Sequence, residues 1–133
     1  MSRNRYIVIA IAIIIVIALI SGGYYLIKLT RESNRFNEHV TKGYDYLKND
    51  NLGPAYTEFR KAGQIRPDSF DFHYGIGAIY LKQRNLPRAA EELEASLMIN
   101  PDSTDARYSL GVAYHRMGDY PKALQEYQEV LKA

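Results

Sequence analysis

Tyr108-Ser109-Leu110-Gly111-Val112-Ala113-Tyr114, followed by Gly118-Asp119-Tyr120 and Ala123-Leu124-Gln125-Glu126-Tyr127, is the stretch whose pattern decides the fold. Shifted back by 34 residues it meets Ile76-Gly77-Ala78-Ile79-Tyr80 and Ala89, and shifted once more it meets Gly43, Tyr46 and Ala55. Gly43, Gly77 and Gly111 form one column, and Tyr46, Tyr80 and Tyr114 a second. Ala55, Ala89 and Ala123 make a third, and Phe59, Leu93 and Tyr127 a fourth. Pro67 and Pro101 lie the same period apart. Matched residue types in several columns at one period mark an internal repeat.

The residue types suit pairs of packed helices. Each Gly falls in the first helix of a repeat and each Ala in the second, so that small residues at both points let the two axes approach. The Tyr and Phe/Leu/Tyr columns are then expected to fill the space on either side of that contact. Pro54, Pro87 and Pro121 stand where the second helix should begin, a position that needs no backbone N–H. Pro67 and Pro101 follow the second helix and stop it. The pattern predicts helices over Phe36–Asn49 and Pro54–Ile65, Phe70–Gln83 and Pro87–Ile99, and Thr104–Met117 and Pro121–Ala133, with no strand signal.

These residues resemble the tetratricopeptide-repeat consensus. The third repeat carries it most fully; the first diverges most, with Lys42 in place of the usual large apolar residue before Gly43. The resemblance covers about 98 residues, in repeats 36–69, 70–103 and 104–133. It implies an all-α fold of three helix-turn-helix repeats forming a short α-solenoid, whose concave groove is lined by the first helices. By resemblance, the groove positions correspond to Asn37, Val40, Tyr44, Leu47 and Lys48 in the first repeat. Asp71, Tyr74, Ala78, Leu81 and Lys82 follow in the second, and Asp105, Tyr108, Val112, His115 and Arg116 in the third. Family members that clamp a C-terminal carboxylate place Lys, Arg and Asn at several of these positions. Here Val40, Tyr44, Tyr74, Ala78, Tyr108 and Val112 stand instead, so the clamp is not supported. What remains is an aromatic and aliphatic channel edged by Lys48, Lys82 and Arg116, suited to an apolar or aromatic segment with an acidic flank.

Outside the repeats, no charged residue occurs from Tyr6 to Ile27, and Lys28 ends the run. These 22 residues span about 33 Å at 1.5 Å rise, close to the thickness of a hydrocarbon core. A buried core helix would be shorter and polar on one face. A cleaved signal peptide needs small residues that Ala18-Leu19-Ile20 does not supply. The expectation is a retained transmembrane anchor over 1–27, with Tyr6 at one interface and Tyr24 and Tyr25 at the other, and a juxtamembrane linker over 28–35. Residues 1–35 carry five Lys/Arg against Glu32, a net of +4, while the remainder carries −2. The positive charge therefore sits where it meets anionic headgroups of the lipid bilayer, and the repeats lack the basic field that nucleic acid requires.

On topology, Lys28, Arg31 and Arg35 outnumber Arg3 and Arg5, which favours repeats facing the cytoplasm. The basic start of a signal-anchor argues the reverse. The reading adopted is a single-pass protein of a bacterial inner membrane with the repeats on the periplasmic side. Ala18 and Gly22 form a small-xxx-small pair able to seat a second transmembrane helix.

Nothing in the pattern points to catalysis. The absence of cysteine excludes disulfides and thiolate metal sites. His39 and His73 share a repeat position, His115 lies elsewhere, and none is followed at i+3 or i+4 by a ligand on the same helix face in a metal-like arrangement. Glu91-Glu92-Leu93-Glu94 is expected in the first turns of a helix, where acids stabilise the dipole. Gly75-Ile76-Gly77 lies inside a helix with no preceding strand and is no phosphate loop. No cofactor or metal is expected. The anticipated role is a membrane-tethered scaffold or assembly factor that recruits proteins through the groove. The alternative is an accessory subunit, or homo-oligomer, fixed in a larger membrane complex; an uncovered apolar face of Leu124, Val130 and Leu131 on the last helix would dock there.

Overall fold

The computed structural model describes residues 3–132, with side chains from Arg5 onward. Ala133, expected to close the last helix, lies outside the described residues, as do the amino terminus and the Arg3 side chain. There are six α-helices and, among the described residues, no strand: α1 (Arg3–Lys48), α2 (Leu52–Ile65), α3 (Phe70–Lys82), α4 (Leu86–Ile99), α5 (Thr104–Met117) and α6 (Tyr120–Lys132). The chain divides after Arg35 into two compact units.

In the first unit, every side chain from Tyr6 to Ile27 is exposed. Within the helix, Ser21 Oγ donates to the Ala18 carbonyl at 3.0 Å and Thr30 Oγ1 to that of Leu26 at 2.9 Å. Residues 28–35 continue the helix without a break. Among the described residues, α1 is the one helix long and apolar enough to cross a membrane, a test that a signal sequence near an N-terminus also meets.

The second unit is three helix pairs. The predicted first helices end within a residue of the observed ones. The second helices begin earlier than their prolines, at Leu52, Leu86 and Tyr120. A missing N–H is tolerated throughout the first turn, because none of the first four amides has an intrahelical acceptor. Glu91, Glu92 and Glu94 therefore sit in the middle of α4 rather than in its first turns, and the dipole does not account for them.

The turn within each pair has one design. Asn51, Asn85 and Asp119 donate their backbone N–H to the carbonyls of Tyr46, Tyr80 and Tyr114, each at 2.9 Å. This is the six-to-one bond that closes a helix through a left-handed residue. That residue is Asp50 (φ 59°), Arg84 (φ 60°) or Gly118 (φ 84°), again 34 apart. Only Gly118 takes it without steric cost; Arg84 bears roughly 1–2 kcal/mol for it. Between pairs, the hydroxyls of Ser69 and Ser103 accept from the backbone N–H groups of Phe72 and Ala106 and cap α3 and α5.

The packing corrects the sequence reading in one respect. The glycines are not simply points of close axis approach: each is a notch filled by the large residue of the fourth column. A Cβ on Gly43 would lie 2.9 Å from the Phe59 ring, one on Gly77 2.8 Å from Leu93, and one on Gly111 2.6 Å from Tyr127. Phe59 also presses on Gly75 of the next repeat, where a Cβ would meet its ring at 2.5 Å. Ala55, Ala89 and Ala123 are buried beside these contacts. Two core clusters result, one around Phe59, Ile76 and Ile79 and one around Leu93, Leu110 and Ala113, with Tyr80 packed against both.

Candidate functional site

The first helices, α3, α5 and the 36–48 segment of α1, carry the predicted groove residues, and the structure brings some of them together. Tyr44, Leu47 and Lys48 of α1 and Tyr74 and Lys82 of α3 line one cleft of about 450 Å³, together with Asp45. Tyr44 stands edge-on to Phe59 at 5.0 Å, and its ring centroid is 6.4 Å from that of Tyr74, which stacks on Phe70 at 5.4 Å. The cleft is thus floored by rings that are held from behind by the core, so they reach the surface with their conformations already restricted.

The hydroxyls are held as well. Tyr44 Oη donates to Asp71 Oδ1 at 3.1 Å. Burial raises the Tyr44 phenol well above its ordinary pKa, and the negative charge of Asp71 adds to the effect. Burial also raises that of Tyr74; its bond with Ser109 acts the other way, and the charge of Asp105 adds to the rise. Both phenols stay neutral at any physiological pH.

At the cationic edge, Lys82 Nζ donates to Asp50 Oδ1 at 2.8 Å. Arg116 reaches back along the array, its Nη1 donating to the Leu81 carbonyl at 3.4 Å.

Other predicted residues lie elsewhere. Tyr108 is 58% exposed and sits 5.9 Å from Tyr127 of α6, outside the Tyr44–Tyr74 cleft. His115 is exposed and packs edge-on against Tyr120 at 5.3 Å. Neither His115 nor Arg116 lines the cleft. Val40, Ala78 and Val112 are partly buried on the same helices.

One side-chain contact between the two helices of each repeat, three in all, explains residues that sequence reading left as surface or packing groups. His39 Nδ1 lies 2.7 Å from Glu58, His73 Nδ1 2.7 Å from Glu92, and Arg107 Nη1 3.3 Å from Glu126. All three span 19 residues at equivalent positions, a rung from first helix to second. The 34-residue spacing of His39 and His73 is the signal that could have found it. Glu94 accepts from the Tyr114 hydroxyl. Among the described residues no group of His, Cys, Asp and Glu could hold a metal ion.

The description "Tetratricopeptide repeat" matches residues 54–103 and 80–133. No curated protein matches the chain. Among solved structures it resembles an O-GlcNAc transferase mutant of Thermobaculum terrenum, with a TM-score of 0.74 at 16% identity over 77% of this chain and 20% of that one. It also resembles pilF of Pseudomonas aeruginosa, with a TM-score of 0.69 at 22% identity over 74% of this chain and 45% of that one. The second repeat domain of Spaghetti (RPAP3), solved with the HSP90 peptide SRMEEVD, gives 0.69 at 16% identity over 75% of this chain and 94% of that one. The chain thus spans about a fifth of the first of these and under half of the second, and at such identities the likeness shows the fold alone. Since the matched repeats take in more than half of the sequence and the helix pairs recur in the structure at the same period, the chain belongs to the tetratricopeptide-repeat family.

Proposed function

We propose that this protein is a membrane-tethered scaffold whose repeats capture partner proteins through the groove of α1, α3 and α5. The carrying observation is the cleft floored by Tyr44 and Tyr74 and edged by Lys48 and Lys82. Aromatic rings bury large areas at small entropic cost, which is what an anchor for an apolar segment needs. That a related domain, the second of Spaghetti (RPAP3), was solved with a peptide supports the class of ligand. The lysines favour an acidic flank on the bound segment. No step of this role requires catalysis or a cofactor.

Tethering rests on the exposed apolar run of α1, which matches a bilayer in length and has tyrosines at both ends. Replacing Tyr74, which lines the cleft, by Ala should abolish capture of partners in a membrane pull-down; unchanged capture would sink the groove reading. Sidedness is tested with a cysteine at Asp102, an exposed residue between α4 and α5 in a chain that has no other cysteine. Ser103 is less suitable because its hydroxyl caps α5. Labelling of intact cells, outer membrane permeabilised, by a reagent that cannot cross the inner membrane is the outcome expected for periplasmic repeats.

One observation favours a second reading, a subunit fixed in a larger membrane complex. On α6, Leu124 is 57% and Leu131 86% exposed, whereas Ala90, which holds the position of Leu124 on α4, is buried beneath α5. A stoichiometric assembly that resists dissociation during purification would select this reading over exchangeable capture.

A further inference from the structure

Resting on the groove reading above, we infer that the occupant is an amphipathic α-helix with carboxylates along one edge and cations along the other. At the ends of the first helices the two rims of the groove differ in sign, while Asp45, one turn before Lys48, also lines the cleft. Asp71 and Asp105 lie in the first turns of α3 and α5, and Lys48, Lys82 and Arg116 in the last turns of α1, α3 and α5.

The simplest account of such placement is compensation of each helix's own dipole. The second helices argue against that as the whole reason. They carry the same dipole, yet α2, α4 and α6 have no acid in the first turn, and α2 and α4 have no base in the last. The paired charges are concentrated on the helices that line the groove. They also face it. Asp71 accepts from Tyr44, and Lys48 and Lys82 line the cleft with Tyr44 and Tyr74. The charge of Asp105 acts on both tyrosines.

The dimensions select a helix. Asp71 and Lys82 are eleven residues apart on α3, roughly 16 Å along its axis, while an α-helix with its side chains is about 10–12 Å across. A helix laid across α1, α3 and α5 puts its apolar face on the tyrosines and turns a flank to each rim. An extended segment cannot do all three, because its side chains point to two opposite sides only: turned to the rims, they leave backbone alone on the tyrosines. At about 8–10 Å between neighbouring helices, crossing three of them takes roughly four turns of ligand. Opposite rims also set its direction, since reversal of the helix exchanges its edges. The existing contacts of Lys82 with Asp50 and of Arg116 with Leu81 are exposed, so either cation can exchange its partner for a ligand carboxylate at small cost.

The test uses the full chain in detergent, with an environment-sensitive dye on Gln83→Cys beside the basic rim. Two synthetic 16-residue helices share one leucine face and one composition. In one, Glu occupies one edge and Lys the other; in the second, Glu and Lys are mixed on both edges. The segregated helix should bind roughly ten-fold more tightly at low salt, with the advantage shrinking as salt rises. Asp71→Lys with Asp105→Lys, checked for folding by circular dichroism, should erase that preference and favour a peptide with Glu on both edges. Equal binding of the two helices that is lost in Tyr74→Ala would overturn this inference and leave the groove reading standing. Binding indifferent to Tyr74→Ala, or no binding of either helix, would overturn both.

Discussion

The run from Tyr6 to Ile27 and the repeats from Phe36 onward draw on the same apolar residue types and use them in opposite ways. In the first, Ile, Val and Leu occupy every face of one helix and all of them are exposed. In the second, each apolar column has a partner: Phe59 fills Gly43, Leu93 fills Gly77 and Tyr127 fills Gly111. Burial of apolar surface is worth roughly 25 cal/mol per Å², so the repeats gain their stability from one another. The N-terminal helix gains nothing of the kind, and its exposed surface far exceeds the few hundred Å² that a soluble monomer ordinarily shows. The difference teaches that apolar content alone does not make a core. Columns that interlock do, and the unbroken sleeve has no such columns.

The largest effect should come from the repeats. Phe59→Ala removes a fully buried ring wedged between Gly43 and Gly75 and should cost about 3–5 kcal/mol, read as a lowered urea midpoint of the full chain in detergent. Next, Ile14→Arg places a charge in the middle of the apolar sleeve, at roughly 2.5–3.5 kcal/mol against membrane insertion. Carbonate-resistant membrane association should fall while the unfolding midpoint of the repeats stays put; a parallel loss in both would break the comparison.

The same substitution made in both regions sharpens it further. Gly77→Ala drives a methyl into Leu93 and should cost about 1–3 kcal/mol. Gly22→Ala meets nothing within 4 Å, so it should leave stability unchanged or raise it through helix propensity, by up to about 1 kcal/mol.

The smallest effect is one of pH. The carboxyl of Glu58 is held below its ordinary value of 4.5 by its hydrogen bond with Lys61 and then by that with His39. Since the folded pKa is the lower one, this stabilisation is complete above about pH 4.5 and fades as pH falls through the folded value. Glu58→Gln should lower stability at neutral pH and flatten the acid limb of the stability curve; an unchanged acid limb would show that the rung contributes nothing.

Much of the fold was legible because the period repeats the same physical demand. Glycine opposite a large residue and proline in a first turn leave marks in residue type, and the helix ends predicted from them lie close to those observed. The starts of α2, α4 and α6 were placed late because proline marks any part of a first turn, not its first residue. The left-handed turn was legible at Gly118 and more weakly at Asp50, since Asp tolerates that region; Arg84 adopts it against its own preference, so its type gives no sign. Of the groove residues, Tyr44, Lys48, Tyr74 and Lys82 come to one cleft. Tyr108 and His115 turn toward α6, because Tyr127 and Tyr120 offer them partners there.

By itself the sequence determined the family, the helix pairs, their order and the charge-free sleeve at the N-terminus, since all of these follow from residue type at fixed spacing. Only the tertiary structure decided what each charge and ring does. It gave Glu58 and Glu92 to histidines, Glu94 to Tyr114 and Lys82 to Asp50. The reason is physical: periodicity specifies which face of a helix a residue occupies, but its partner lies 19 to 32 residues away on another helix or in a turn. The crossing of the two helices brings them within reach, and no local pattern encodes that crossing.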